Sequence, residues 1–159
     1  MSQQQPLVLI LDNVRSGHNV GATFRLADAF TINAIYLCGI TPHPPHREIR
    51  KTALGAEATV PWHPMATTEE AVNKLKEEGF YCVAMEQTER SLPLQNIPSA
   101  QRAQPTALIF GHEVWGISPQ VLQQVDTCIQ IPQYGKKKSL NVSTCIAITT
   151  WEWRKPSLY

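Results

Sequence analysis

Short apolar runs alternate along the chain with segments of helical spacing. Leu7 to Leu11 is a branched, wholly apolar run between Pro6 and Asp12-Asn13, which predicts a buried strand. Asn19 to Phe30 carries Val20, Phe24, Ala27 and Phe30 at helical intervals. Ala34 to Cys38 reads as a second strand closed by Gly39, and Thr41 to Pro45 as a proline-rich loop. A short helix is expected over Arg47 to Leu54, ending near Gly55, then a brief strand at Thr59 to Trp62. Thr67-Thr68-Glu69-Glu70 has capping-box form and opens a helix that runs to Gly79. Phe80 to Met85 and Ala107 to Phe110 read as strands, with a polar surface connection over Gln95 to Pro105. Pro119 to Val125 reads as a helix capped by Ser118, Cys128 to Ile131 as the last strand, and Leu140 to Trp153 as a final helix. The strand runs are apolar throughout rather than alternating. That pattern predicts an α/β fold whose parallel sheet is covered by helices on both faces.

The 159 residues fit one domain spanning 1–159 and are enough to bury a core without metals or disulfides. No run approaches the roughly 20 apolar residues of a membrane span, and Met1 to Pro6 lacks a signal-peptide pattern. A cytoplasmic protein is expected. Cys38, Cys82, Cys128 and Cys145 form no C-x-x-C pair and each falls in an apolar stretch, so they read as reduced buried thiols. No metal site is expected.

The net charge of +1 is small for a protein that grips phosphates, so its distribution matters more. Acids crowd Glu69, Glu70, Glu77 and Glu78. Bases gather at Arg47, Arg50 and Lys51, and again at Lys136, Lys137 and Lys138. Both basic groups are either solvated loops or phosphate contacts.

In a parallel sheet, ligands bind beyond the carboxyl ends of strands. Three such segments carry unusual polar groups. Asn13 to Arg25 places Asn19 where a helix N-cap would stand, Gly21 where a second backbone can approach, and Arg25 one turn later. An arginine there gains nothing from the helix dipole. It either pairs with Asp28 at i+3 or serves an anion or hydroxyl site. Gly111 to Ser118, G-H-E-V-W-G-I-S, follows a strand directly; a tight turn accounts for its glycines but not for Glu113. Ile131 to Ser143, I-P-Q-Y-G-K-K-K-S-L-N-V-S, crowds Ser139, Asn141 and Ser143 at the mouth of an apolar helix, more than one cap requires.

At these residues the chain resembles the SpoU/TrmH-type RNA 2′-O-ribose methyltransferases of the SPOUT superfamily. The family's three motifs occur in order: N-V-G-A-T-F-R at Asn19 to Arg25, G-H-E-V-W-G at Gly111 to Gly116, and I-P with S-L-N-V-S from Ile131 to Ser143. Two positions depart from the family's usual pattern, Gln133 and Cys145, where an apolar residue and a small alanine are common. The resemblance implies a C-terminal deep trefoil knot, a topology otherwise almost absent from proteins. It implies S-adenosylmethionine as cofactor, held largely by backbone groups around Gly111, Gly116, Ile131, Ser139 and Leu140, with Met85 as a further candidate. It implies a homodimer in which the first motif of one subunit completes the site of the other. Arg25 is then the candidate for polarising the ribose hydroxyl, Asn19, Ser139 and Asn141 for orienting groups, and Glu113 for ordering its loop and anchoring Asn19 or Arg25. The RNA, a transfer or ribosomal RNA, would meet Arg15, His18, Arg47, Arg50, Lys51 and Lys136 to Lys138. The alternative from another class is a non-catalytic RNA-binding protein that keeps the knot.

Overall fold

A computed structural model describes residues 4–156. Seven strands form one parallel sheet in the order β3-β2-β1-β6-β4-β7-β5. They are β1 (Leu7–Asp12), β2 (Ala34–Cys38), β3 (Trp62–Met65), β4 (Tyr81–Met85), β5 (Leu92–Pro93), β6 (Thr106–Gly111) and β7 (Thr127–Gln130). The helices are α1 (Gly17–Ala29), α2 (Arg47–Ala53), α3 (Thr68–Glu77), α4 (Ser99–Arg102), α5 (Pro119–Leu122) and α6 (Val142–Arg154). No helix among the described residues is long and apolar enough to cross a membrane.

The uninterrupted apolar strands have a direct cause. Successive side chains of a strand point to opposite faces. Leu7, Leu9 and Leu11 of β1 pack with Val20 and Phe24 of α1, Ile49 of α2, and Ile146 and Trp153 of α6. Val8 and Ile10 join Val72 and Leu75 of α3 and Val121 of α5 on the other face. Both faces are covered, so no position in β1 is left for a solvated residue. Burying each Leu or Ile of this layer stabilises the fold by about 1.5–3 kcal/mol. Cys38 and Cys82 lie buried and Cys128 and Cys145 half-buried, all four unbridged. Burial pushes the Cys38 thiol up to about 12 and the Cys82 and Cys145 thiols up to about 11.

Several expected boundaries shift. β3 begins at Trp62 rather than ending there, because Pro64 is accommodated on an edge strand, where no outer neighbour needs its missing N–H. The polar connection contains the two-residue β5 and the short α4. Helix α1 starts at Gly17, two residues before Asn19. Its cap is Ser16, whose hydroxyl accepts the Asn19 N–H at 3.2 Å. Asn19 is therefore not the cap, and its carboxamide is free for other work. Gly21 does bring two backbones together: a Cβ there would strike the Ile49 carbonyl oxygen and Thr52 Oγ1 and lie 3.0 Å from the Ala53 nitrogen of α2.

Candidate active site

The carboxyl ends of β4, β6 and β7 open onto one cavity of about 530 Å³. Three loops wall it: Glu86 to Thr88, Gly111 to Ile117, and Ile131 to Asn141. The middle loop is closed on itself. His112 N–H donates to the Gly116 carbonyl at 3.1 Å and Gly116 N–H returns to His112 at 2.9 Å. The His112 Nδ1 accepts the N–H groups of Val114 at 3.0 Å and Trp115 at 3.2 Å. Gly111 must be glycine because a Cβ would meet the backbone of Gly116 and Ile117, and Gly116 sits at a φ of +67°. Glu86 Oε2 accepts the Ile117 N–H at 2.9 Å and lies against Gly116, so the first loop braces the second.

Glu113 leaves this loop towards α1. Its carboxylate accepts the N–H groups of Arg15 and Ser16, each at 3.1 Å, and the Asn19 amide at 3.4 Å. Partial burial pushes this carboxyl up. Hydrogen bonds from its own backbone N–H, those of Arg15 and Ser16, and the Asn19 side chain outweigh that push and hold it below the usual carboxylate range. Glu113 thus fastens the first segment to the second, and its anchored side chain is Asn19 rather than Arg25.

The third loop ends at Asn141, the N-cap of α6. Asn141 Oδ1 accepts from Ser143 N–H at 2.9 Å, Ser143 Oγ at 2.6 Å and Thr144 N–H at 3.4 Å. Of the expected site residues, Met85, Gly111, Glu113, Gly116, Ile131, Lys138, Ser139, Leu140 and Asn141 line the cavity. Asn19 touches it only through Glu113. His112 and Val142, within the motifs but not singled out, also line it, as do Glu86, Gln87, Thr88 and Cys145 outside them. Glu86 has a readable signal, being the polar residue directly after an expected strand.

Arg25 lies elsewhere. It is exposed and borders a separate depression with Asp28, Ala53, Leu54 and Gly55, which shares no residue with the cavity. Among the described residues no ion pair joins Arg25 to Asp28. Within one chain, then, the first segment reaches the cavity only through the Asn19–Glu113 contact, and its arginine does not reach it.

The expected basic groups divide. His18 Nε2 and Lys51 Nζ both pair with Glu48, the lysine at 3.3 Å. The Lys51 hydrogen bond, with smaller help from the charges of Lys51, His18 and Arg47, holds the Glu48 carboxyl below its ordinary value against a little desolvation. Arg15, Arg47 and Arg50 are exposed, as are Lys136 and Lys137. Among the described residues, no three His, Cys, Asp or Glu side chains gather as a metal site.

The cavity has the size of a small-molecule site. Its walls combine apolar side chains (Met85, Ile129, Val142) with backbone polar groups at strand ends and the Glu86 carboxylate. Such a site has room for a nucleoside-sized molecule.

Residues 6–151 match the model of the SpoU rRNA methylase family. The chain is 31% identical to the tRNA (guanosine(18)-2′-O)-methyltransferase of Thermus thermophilus over 98% of its own length and 78% of the relative's. It is 32% identical to a 23S rRNA (guanosine-2′-O-)-methyltransferase of Nitrosomonas europaea, covering 92% of the chain and 55% of that relative. Among solved structures, an AdoMet-bound rRNA methyltransferase from Sinorhizobium meliloti superposes with a TM-score of 0.88 at 27% identity, over 96% of this chain and 57% of that one. The TrmH/SpoU tRNA-modifying enzyme of A. aeolicus superposes at 0.83, also at 27% identity, over 96% and 76%. The chain thus spans less than two thirds of these two ribosomal-RNA proteins.

Proposed function

The chain belongs to the SpoU rRNA methylase family, and from that premise we propose that it transfers a methyl group from S-adenosylmethionine to a ribose 2′-hydroxyl of RNA. The observation that carries this reading is the cavity itself. Its second and third loops are the G-H-E-V-W-G and I-P…S-L-N-V-S segments, and they converge from separate strands on one nucleoside-sized space. The donor set fits the cofactor: backbone groups beyond β4, β6 and β7 suit an adenosine, and apolar Met85, Ile129 and Val142 suit its ring. Gly111, Gly116, Ile131, Ser139 and Leu140 are the residues that would hold it. When bound, the cofactor supplies an electrophilic methyl group.

The chain's own contribution is placement and charge. The hydroxyl oxygen must lie in line with that methyl, and its proton must pass to solvent as the methyl leaves the sulfur and the new O–C bond forms. A guanidinium stays protonated at any working pH, so Arg25 acts by stabilising the charge that builds on the oxygen. Arg25 lies outside its own chain's cavity, which supports a homodimer in which it reaches the partner's. Ile148 and Trp151, exposed on one face of α6, support a face covered by a second copy. Glu113 and Asn19 are positioning residues that hold the first motif against the second. Asn141 keeps α6 capped beneath the cavity floor. Arg15, Arg47, Arg50, and Lys136 to Lys138 would meet phosphates, with the His18 ring and the Lys51 ammonium already engaged by Glu48.

The reading includes a deep trefoil knot over the C-terminal part. It is supported by β7, which enters the sheet between β4 and β5 although it follows both in the chain, and by the loop after it, which passes beside the earlier two. The chain is taken as one domain, and its four unbridged thiols support a cytosolic setting. Transfer RNA is preferred to ribosomal RNA as substrate by analogy with the transfer-RNA methyltransferase of Thermus thermophilus. The test is incubation with radiolabelled S-adenosylmethionine and RNA fractions from cells lacking the modification, followed by nuclease digestion. A labelled 2′-O-methylnucleoside in the transfer-RNA fraction is expected. A labelled base in place of a ribose, or cofactor binding without transfer to any RNA, would sink it.

A further inference from the structure

Trp115 stands 79% exposed at the rim of the cavity, and its neighbour Val114 is equally exposed. A surface indole usually lies flat on apolar neighbours. This one stands on an imidazole. The His112 and Trp115 rings stack with centroids 4.2 Å apart and planes 15° from parallel. His112 is itself fixed, since its Nδ1 accepts the N–H groups of Val114 and Trp115 and its ring is buried. Accepting two N–H groups at Nδ1 holds the ring in one orientation. One face of the indole is therefore supported and the other is open. Lys138 lines the same cavity, and the preceding residues of its loop, Tyr134, Lys136 and Lys137, are exposed.

A rigid aromatic shelf with one open face, in a cavity that Lys138 also lines, matches a ligand with a flat ring and a phosphate chain. We propose that Trp115 is the platform on which an unpaired nucleobase of the RNA stacks next to the ribose being methylated. This rests on the reading that the domain methylates RNA, and it narrows the substrate class. A duplex keeps its base faces covered by their neighbours, whereas loops and single strands can offer one. The target nucleotide therefore lies in an unpaired segment. Lys138 and the exposed lysines next to it in the chain take its phosphates and add salt dependence to the binding.

Trp115→Ala and Trp115→Phe in the full chain test the platform. Because the side chain is exposed, neither change removes core packing. Calorimetry measures S-adenosylmethionine binding, and anisotropy measures binding to a single-stranded oligoribonucleotide of mixed sequence and to its duplex. Loss of one base stack is expected to weaken single-strand binding about tenfold in Trp115→Ala, some 1.4 kcal/mol. Duplex and cofactor binding stay within twofold, and Trp115→Phe recovers most of the loss. Tryptophan emission of the wild type falls on adding the single strand, and the fall shrinks in Trp115→Ala. Equal loss of cofactor binding would assign the shelf to the cofactor's adenine and overturn the proposal. Dissociation of the protein into monomers would assign Trp115 to a subunit contact and overturn it as well. Unchanged single-strand binding in Trp115→Ala would overturn the platform alone, while wild type that binds no RNA at all would bring down the underlying reading too.

Discussion

Arg25→Ala and Leu140→Glu are each expected to abolish methyl transfer, and to restore part of it when combined in mixed dimers. Arg25 shares no depression with the cavity of its own chain, so its removal leaves that cavity intact. Loss of one charge-stabilising group of this kind costs about 10²–10³ in rate. Leu140 lines the cavity at 39% exposure, so a glutamate there disturbs the cofactor's seat without emptying the core. Suppose each site is built from one subunit's cavity and the other's Arg25. A mixed dimer then holds one intact site, made of the Arg25→Ala cavity and the arginine of the Leu140→Glu chain. One of its two sites works, so purified mixed dimers should show about half of wild-type activity. Random pairing of equal amounts makes half the dimers mixed, so the unsorted mixture should show about one quarter. The assay is coexpression with two affinity tags, purification of mixed dimers, and counting of methyl groups transferred. Calorimetry on each single variant confirms that Arg25→Ala still binds cofactor and Leu140→Glu does not. If Arg25 instead serves its own cavity, every site in the mixed dimer lacks one part. Activity no higher than the single variants would refute the reasoning.

Gly21→Ala sets two effects against each other. Alanine gains about 1 kcal/mol of helix propensity, but its methyl meets the backbone of α2, an overpacking that costs about 1–3 kcal/mol; the urea midpoint is expected to fall with m unchanged, and a rise would show that α2 yields freely. Glu113→Gln keeps one acceptor oxygen and loses the charge, and it is expected to cost about 1 kcal/mol near neutral pH, measured by urea unfolding. Because the folded Glu113 carboxyl sits below its ordinary value, its contribution is present above that value and is lost as pH falls through the folded one. The gap between wild type and variant therefore closes in acid, below about pH 4, and a gap that persists there would assign the effect to shape rather than charge.

Much of the architecture is legible because burial on both faces forces apolar strands, and β1, β2, β4 and β6 announce themselves that way. β5 is two residues long and leaves no pattern to read. Pro64 makes the end of β3 look like a turn, since a sequence does not say which strand will lie at an edge. Asn19 looks like a cap because capping chemistry suits it equally well. Ser16 takes that role, and Asn19 turns to Glu113, 94 positions away. That bond, like the Glu86 contact to Ile117, depends on where loops meet in space. Local spacing holds no trace of such meetings. A pairing of Arg25 with Asp28 is sound as local chemistry, yet these residues do not form it.

The place of β7 bears on how the protein is made. This strand is synthesised after every other strand, yet its position is internal, between β4 and β5. A ribosome that has not released residues beyond 127 presents a nascent chain with the flank of β4 open, a polar edge that invites foreign strands. The third wall of the cavity is missing from the same intermediate, because Ile131 to Asn141 has yet to emerge. A cavity walled by all three loops is therefore complete only once residues through Asn141 have left the ribosome and the last strand has settled.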